Sequence, residues 1–301
     1  MTVNKKFLQL TGALLIIIFH LWIKLSSSFV ESFLVSIAYI GVDIFFLVSV
    51  TSLVNREINY REFIINRFRS IYPKFIAFVL IMALFNMSVK NVFNRLFFIE
   101  FFNKGGGAFL WFIPAILIFY LIFPLFIKWN NKYKTVYGFI IYLLLSIICT
   151  LTKQNQLMIV IQRIPLILIA YELCTRKINN QKLTGSILLI IGILLLYKYG
   201  YSPKLNKPLY NLFYVMAIPT VTGILLIIPK FKLPKILELI SNSTLEIYAF
   251  QMIFGFKLAS IIYKFVDVAF ISNLLTISII VFISVLFNLF WKKYITPLIS
   301  M

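Results

Sequence analysis

The stretch Phe7–Ile23, FLQLTGALLIIIFHLWI, decides the fold. It follows Lys5 and Lys6 directly, and an apolar run behind lysines can be a secretory leader. Such a leader has an apolar region of about 7–15 residues followed by a small-residue cleavage site. This run is longer and lacks that site, so it reads as a membrane helix. His20, the single histidine among 301 residues, lies inside it. An ionisable group at membrane depth costs roughly 2.5–3.5 kcal/mol on insertion scales, so it faces a bundle interior or a watery cavity. Imidazole also moves protons most readily near neutral pH. His20 is therefore a candidate reaction site. The competing reading is a hydrogen-bonded structural histidine at the wet end of a first helix.

Outward from this run the same pattern repeats. With 61% hydrophobic and 13% charged residues, the chain lies far from a soluble domain, which has roughly 45–50% apolar and 25% charged residues. A span needs about 20 mostly apolar residues. Ten stretches qualify: 7–24, 30–54, 71–88, 108–127, 135–152, 157–173, 184–199, 209–228, 241–262 and 271–291. They leave no room for a soluble domain, and no repeat or flexible linker divides them. The expectation is one all-α, polytopic membrane domain over residues 1–301 with about ten transmembrane helices.

The net charge of +20 does not point to nucleic acid, because the basic residues are scattered over short connections. They follow the positive-inside rule. With both termini cytoplasmic, the inner segments hold 18 of the 29 basic residues and the outer ones nine, with Arg163 and Lys257 inside helices. Lys24 and Lys204 are among the outer group, Lys177 and Lys230 among the inner. Cys149 and Cys174 then fall near opposite faces, too far apart for a disulfide, which needs α-carbons within about 7 Å.

Two connections are long. Asn55–Ser70 carries four arginines and reads as an interfacial helix entering the third span, while Val89–Gly107 mixes aromatic and basic residues before three glycines and reads as an amphipathic helix with a flexible turn,. At membrane depth the polar residues are His20, Asp43, Arg163, Glu172, Glu246, Gln251 and Lys257. Glu172 and Lys257 lie toward helix ends, where they can snorkel. Asp43 and Arg163 read as a structural ion pair or as working groups, Asp43 orienting His20 and Arg163 binding a polar group. His20, Trp111 and Arg163 fall toward the outer half, whereas Arg67 and Arg69 fall on the inner face. Arginine grips phosphate through a planar fork, so an inner pair suits a phosphorylated cytosolic donor and the outer imidazole suits deprotonating an acceptor hydroxyl. The positive-inside rule alone also accounts for Arg67 and Arg69. No metal-ligand cluster and no GxxxxGK[ST] loop occurs,.

Six pieces, in order, resemble the acyltransferase-3 family of ten-helix membrane O-acyltransferases that modify bacterial surface glycans. They are IIIFHLW around His20, GVDIFFLVS at 41–49, NRFRSIYPKF at 66–75, LWFIPAILIFYLIFP at 110–124, RIPLIL at 163–168 and SNSTLEIYAFQ at 241–251. The resemblance implies a multi-pass protein of the bacterial plasma membrane, with cytosolic acyl-CoA, most simply acetyl-CoA, as co-substrate and no resident cofactor. The acceptor it implies is a sugar hydroxyl of an envelope or capsular polysaccharide, in the company of membrane lipid and polysaccharide-synthesis machinery. His20 maps to the catalytic histidine, and Arg67 with Arg69 to donor contacts. Trp111 and Arg163 would line the outer cavity, leaving Glu246 and Gln251 as further buried polar groups. The chain departs from the family pattern at Gln9, where an arginine is usual, at Ser70, where the second of two spaced arginines is usual, at Val50 in place of glycine, and at Gln251 in place of histidine.

Two rival readings remain at this level: a flippase-like exporter of a glycan or lipid-linked sugar, and a partner subunit of a polysaccharide synthase. The missing inverted repeat weighs against most secondary transporters. The charge bias is directly testable. With Cys149 and Cys174 replaced, single cysteines at Asn59 and Asn103 should label from opposite faces; labelling of both by one impermeant reagent in intact cells would overturn the topology.

Overall fold

The computed structural model describes residues 4–22, 29–54, 56–84, 88–154, 157–176, 178–199, 207–228 and 231–300. Lys24, Lys177, Lys204 and Lys230 lie outside them. Among the described residues every regular element is a helix and there is no strand. Hydrocarbon offers no partner for backbone N–H and C=O groups, and a helix satisfies them within its own segment.

Helix α1 (Lys5–Leu21) opens on Asn4, whose side chain accepts from the Phe7 amide, the usual way to satisfy an orphan donor of the first turn. The stretch expected as one span at 30–54 is two helices, α2 (Phe29–Ala38) and α3 (Gly41–Leu53), separated by a turn at Tyr39 and Ile40. Helix α4 (Tyr60–Ala83) is capped by Asn59 and continues through Pro73. The arginine-rich connector is thus mostly the first turns of the span it enters. Two short helices, α5 (Val89–Leu96) and α6 (Ile99–Lys104), and a 3-10 turn at Gly105–Gly107 form the outer connector. Their exposed Val89, Phe93, Phe97 and Phe102 agree with its amphipathic reading. Helix α7 (Phe112–Lys128) leaves this segment at 112°.

Next come α8 (Lys134–Leu151), the single turn α9 (Met158–Ile161), and α10 (Ile164–Thr175), which starts with Pro165 where its missing N–H costs nothing,. The chain continues through α11 (Gln181–Tyr199), α12 (Lys207–Ile227), α13 (Lys235–Ser241) and α14 (Thr244–Phe250). A π-turn at Gln251–Gly255 leads into α15 (Phe256–Phe265), followed by α16 (Ala269–Phe290), a second π-turn at Trp291–Ile295 and α17 (Thr296–Ser300).

Five described helices are long and apolar enough to cross a membrane, six if the bent segment Ile99–Lys128 counts as one. The five coincide with the stretches expected at 135–152, 157–173, 184–199, 241–262 and 271–291. Helices α1 and α3 are shorter than the apolar runs they occupy, because an apolar run records what lipid tolerates, not where backbone hydrogen bonds run without a break. Helix α1 has 17 residues and α3 has 13.

The chain divides into two compact units, residues 1–48 with 180–301, and residues 49–179. In the first, α1 touches α3 at glycines: a Cβ at Gly41 would lie 2.7 Å from the Gly12 carbonyl oxygen and 2.9 Å from the Ile16 nitrogen. Small residues of this kind let backbones approach where lipid supplies no hydrophobic drive. Lys6 pairs with Glu238, and Asn4 donates to the Phe231 carbonyl at 2.6 Å. At the far end of α1, a Cβ on Gly255 would lie 2.5 Å from the Leu21 side chain. Helices α11 and α12 pair through Gly185, Gly192 and Gly223, the middle one seated on Thr220.

In the second unit Tyr60 donates to the Leu121 carbonyl at 3.0 Å and joins α4 to α7. Gly138 of α8 admits Leu168 of α10, and Thr135 donates to Glu172 between the same helices. Cys149 and Cys174 form no disulfide.

The Gly12–Gly41 contact is backbone against backbone and has nothing flexible to yield. Gly41→Ala should destabilise the detergent-solubilised protein by about 1–3 kcal/mol, the usual range for overpacking. A Cβ at Gly107 meets only the Lys104 Cβ, at 3.9 Å, so Gly107→Ala should unfold with the wild type. Thermal unfolding followed by tryptophan fluorescence distinguishes the two.

Candidate functional site

His20 lies in the last turn of α1 and is half-buried. Its Nδ1 is 2.9 Å from the Ile16 carbonyl oxygen. A carbonyl only accepts, so Nδ1 carries the proton in the neutral ring and Nε2 keeps its lone pair. The Phe19 ring meets the imidazole edge-on at 5.1 Å and meets Tyr39 at 5.0 Å. One aromatic thus contacts both the imidazole and the turn between α2 and α3.

Asp43 is buried, 3% exposed, in the first turn of α3. Its neighbours Gly41 and Phe45 meet Gly12, with Ile16 also at Gly41. Gly12 precedes His20 by two helical turns, about 12 Å of rise. The Nδ1 of the imidazole is thus held by a carbonyl of its own helix. Just beyond His20, Trp22 donates from Nε1 to Glu31 at 3.2 Å, and its ring meets Phe270 at 5.6 Å. Glu31, 6% exposed, is a buried carboxyl that sequence reading passed over, because it falls beside an apparent outer loop.

On the other side of α1 lie α14 and the π-turn. Glu246 is 1% exposed and Gln251 is fully buried. Neither the oxygen nor the nitrogen of the Gln251 amide has a hydrogen-bond partner among the described residues.

The second unit holds the other candidates. The Arg67 guanidinium lies 4.8 Å from the Tyr120 ring centre and 5.1 Å from that of Phe63. Tyr120 is itself fixed by its hydroxyl, 3.1 Å from the Ser49 hydroxyl, and by an edge-on contact with Phe63 at 5.7 Å. Among the described residues Arg67 has no carboxylate partner. A cation held by ring faces keeps its N–H edges free for an anion. Sequence reading missed this clamp, although Phe63 stands four residues before Arg67 and so on the same helix face. Arg69 is exposed and makes no ion pair among the described residues, so the two arginines are not equivalent.

Trp111 and Arg163, both placed toward the outer half by the sequence reading, are in contact: the guanidinium lies 5.4 Å from the Trp111 ring, Arg163 is 1% exposed, and its Nη1 donates to the Ile159 carbonyl. Leu110, fully buried before Trp111, adopts φ 53°. A non-glycine residue there costs of order 1–3 kcal/mol and persists only where its surroundings hold it. Glu172 instead lines an open groove of about 490 Å³ with Lys132, Thr135 and Arg176, where Thr135 and Arg176 occupy its carboxylate.

A family model described as an acyltransferase domain matches residues 6–290. The chain belongs to the acyltransferase-3 family. The match contains every candidate residue named above, and with the apolar helices it makes the protein a membrane acyltransferase. No curated protein and no solved structure matches the chain significantly.

The base of α1 carries a pH-dependent anchor. Lys6 holds the Glu238 carboxyl below its ordinary 4.5, first by hydrogen bonding and then by charge. A carboxyl lowered in the folded state adds stability above its unfolded value, and that stability is lost as pH falls through the folded one. Thermal unfolding of the wild type should therefore weaken as pH drops below that ordinary value. Glu238→Gln should be less stable near neutrality and show a shallower acid limb. Superimposable pH profiles for the two proteins would contradict this.

Proposed function

We propose that this acyltransferase-3 protein is an O-acetyltransferase with ten membrane crossings and both termini in the cytoplasm of a bacterial cell. It takes acetyl groups from cytosolic acetyl-CoA and places them on a sugar hydroxyl of an envelope or exported polysaccharide at the outer face. The observation that carries the reading is the imidazole of His20: Nδ1 is committed to the Ile16 carbonyl at 2.9 Å, which leaves Nε2 to take a proton. An acceptor hydroxyl reaching Nε2 gives up its proton there as its oxygen attacks the thioester carbon. The C–S bond then breaks, and His20 returns the proton to the departing sulfur. The buried carboxyl of Asp43 supports the imidazolium through its field.

Arg67 is the residue best arranged to hold a donor phosphate, since Phe63 and Tyr120 fix its cation without neutralising it. Arg69 adds a flexible second charge. Trp111 and Arg163 form a buried cation–aromatic pair suited to lining the acceptor side.

The test uses inside-out vesicles and labelled acetyl-CoA, with the label followed into lumenal glycan. The wild type should transfer label, and His20→Gln should lose about 10²–10⁴-fold in rate while inserting normally. Arg67→Lys keeps the charge but loses the fork, so the acetyl-CoA needed for half-maximal rate should rise roughly 10- to 150-fold, the equivalent of about 1.5–3 kcal/mol for a charge-assisted hydrogen bond. Passage of intact glycan without acyl transfer by the wild type would favour an export component instead.

A further inference from the structure

The buried amide of Gln251 has no role in the mechanism above, yet its surroundings are specific. Its residue is fully buried, and both its oxygen and its nitrogen lack a hydrogen-bond partner among the described residues. Leaving a buried polar group unpaired costs about 1–3 kcal/mol, and the great majority of such groups in native proteins are paired. Gln251 also begins the π-turn Gln251–Gly255. An i→i+5 bulge inside a helix is uncommon and occurs frequently at functional sites.

The turn lies against the end of α1. Gly255 is so close to Leu21 that a Cβ there would sit 2.5 Å from its side chain, and Leu21 follows His20. Gln251, four residues before Gly255, shares the face turned toward α1. The two segments run parallel, with Lys6 beside Glu238 at one end and Leu21 beside Gly255 at the other. Gln251 therefore stands about level with Ile17, one turn from His20 on the Lys6 side. In the topology proposed above, that is the side from which the thioester arrives.

We propose that the Gln251 Nε2–H donates to the acyl carbonyl oxygen as negative charge develops on it. The proposal rests on the acyl-transfer reading and deepens it. As the acceptor oxygen bonds to the thioester carbon, its proton passes to His20 Nε2 and the carbonyl electron pair moves onto oxygen, where Gln251 meets it. Collapse expels the sulfur, which takes the proton from His20, and the carbonyl re-forms as an ester. A neutral amide suits this task in a dry site, because it donates without carrying a charge of its own into the membrane.

The experiment compares Gln251→Leu, Gln251→Met and Gln251→His in the full chain, in inside-out vesicles with labelled acetyl-CoA, alongside thermal unfolding. The leucine and methionine variants should lose about 10²–10³-fold in kcat, as when one oxyanion donor is removed. Their half-saturating acetyl-CoA concentration should stay close to wild type, and their unfolding temperature should be unchanged or higher. Histidine restores an N–H donor and should recover most of the rate. If Leu misfolds, Met decides. Wild-type kcat in either apolar variant overturns the proposal and leaves the acyltransferase reading intact. Equal losses of rate and stability in all three variants overturn it in favour of a role in helix contact. A wild type that transfers no acetyl group removes the acyl-transfer reading and this proposal together.

Discussion

Helices in a lipid environment are not pressed together by water, so their association depends on how closely their surfaces fit. This constraint accounts for the glycines. Gly12 against Gly41 and Gly255 against Leu21 fix α1 on two sides, and Gly185, Gly192 and Gly223 do the same for α11 and α12. None of these contacts would survive a methyl group without displacement. The polar groups of the first unit follow from this framework. His20 sits between two glycine-mediated contacts of α1, so its ring direction is set by backbone geometry and by the Ile16 carbonyl.

The second unit solves a different problem with aromatic faces. A guanidinium in or near a membrane has few places where it is tolerated, and Arg67 and Arg163 both lie against rings, Tyr120 with Phe63 in one case and Trp111 in the other. The two sites differ in access. Arg163 is closed off and donates to a backbone carbonyl, whereas Arg67 is half-buried and faces no acid among the described residues. A cation of the second kind can bind an anion that comes and goes.

Much of this was legible from residues alone. Helical class and membrane character follow from apolar content, and His20, Arg67, Trp111 and Arg163 were visible as costly or unusual residues in apolar surroundings. What escaped was anything set by register. The turn at Tyr39–Ile40 lies in an unbroken apolar run, so Asp43 read as mid-span although it stands in the first turn of a new helix. The Phe63–Tyr120 clamp needs two distant helices aligned, of which only the Phe63–Arg67 spacing can be seen in sequence. The π-turn at Gln251 leaves no compositional trace, because i→i+5 bonding requires no special residue. The sequence marked Gln251 as a buried polar residue and as a departure from the family pattern, but not as unpaired.

The contact between Lys6 and Glu238 joins residues 232 positions apart. At about 5–20 residues per second of synthesis, α1 precedes its anchoring partner by roughly 10–50 s. During that interval α1 lacks the Glu238 and Gly255 contacts that hold it in the folded protein. A helix whose contacts are completed by a residue 232 positions later cannot finish packing while that stretch is still being made. The order of synthesis thus delays the final packing of α1 until these later residues have been made.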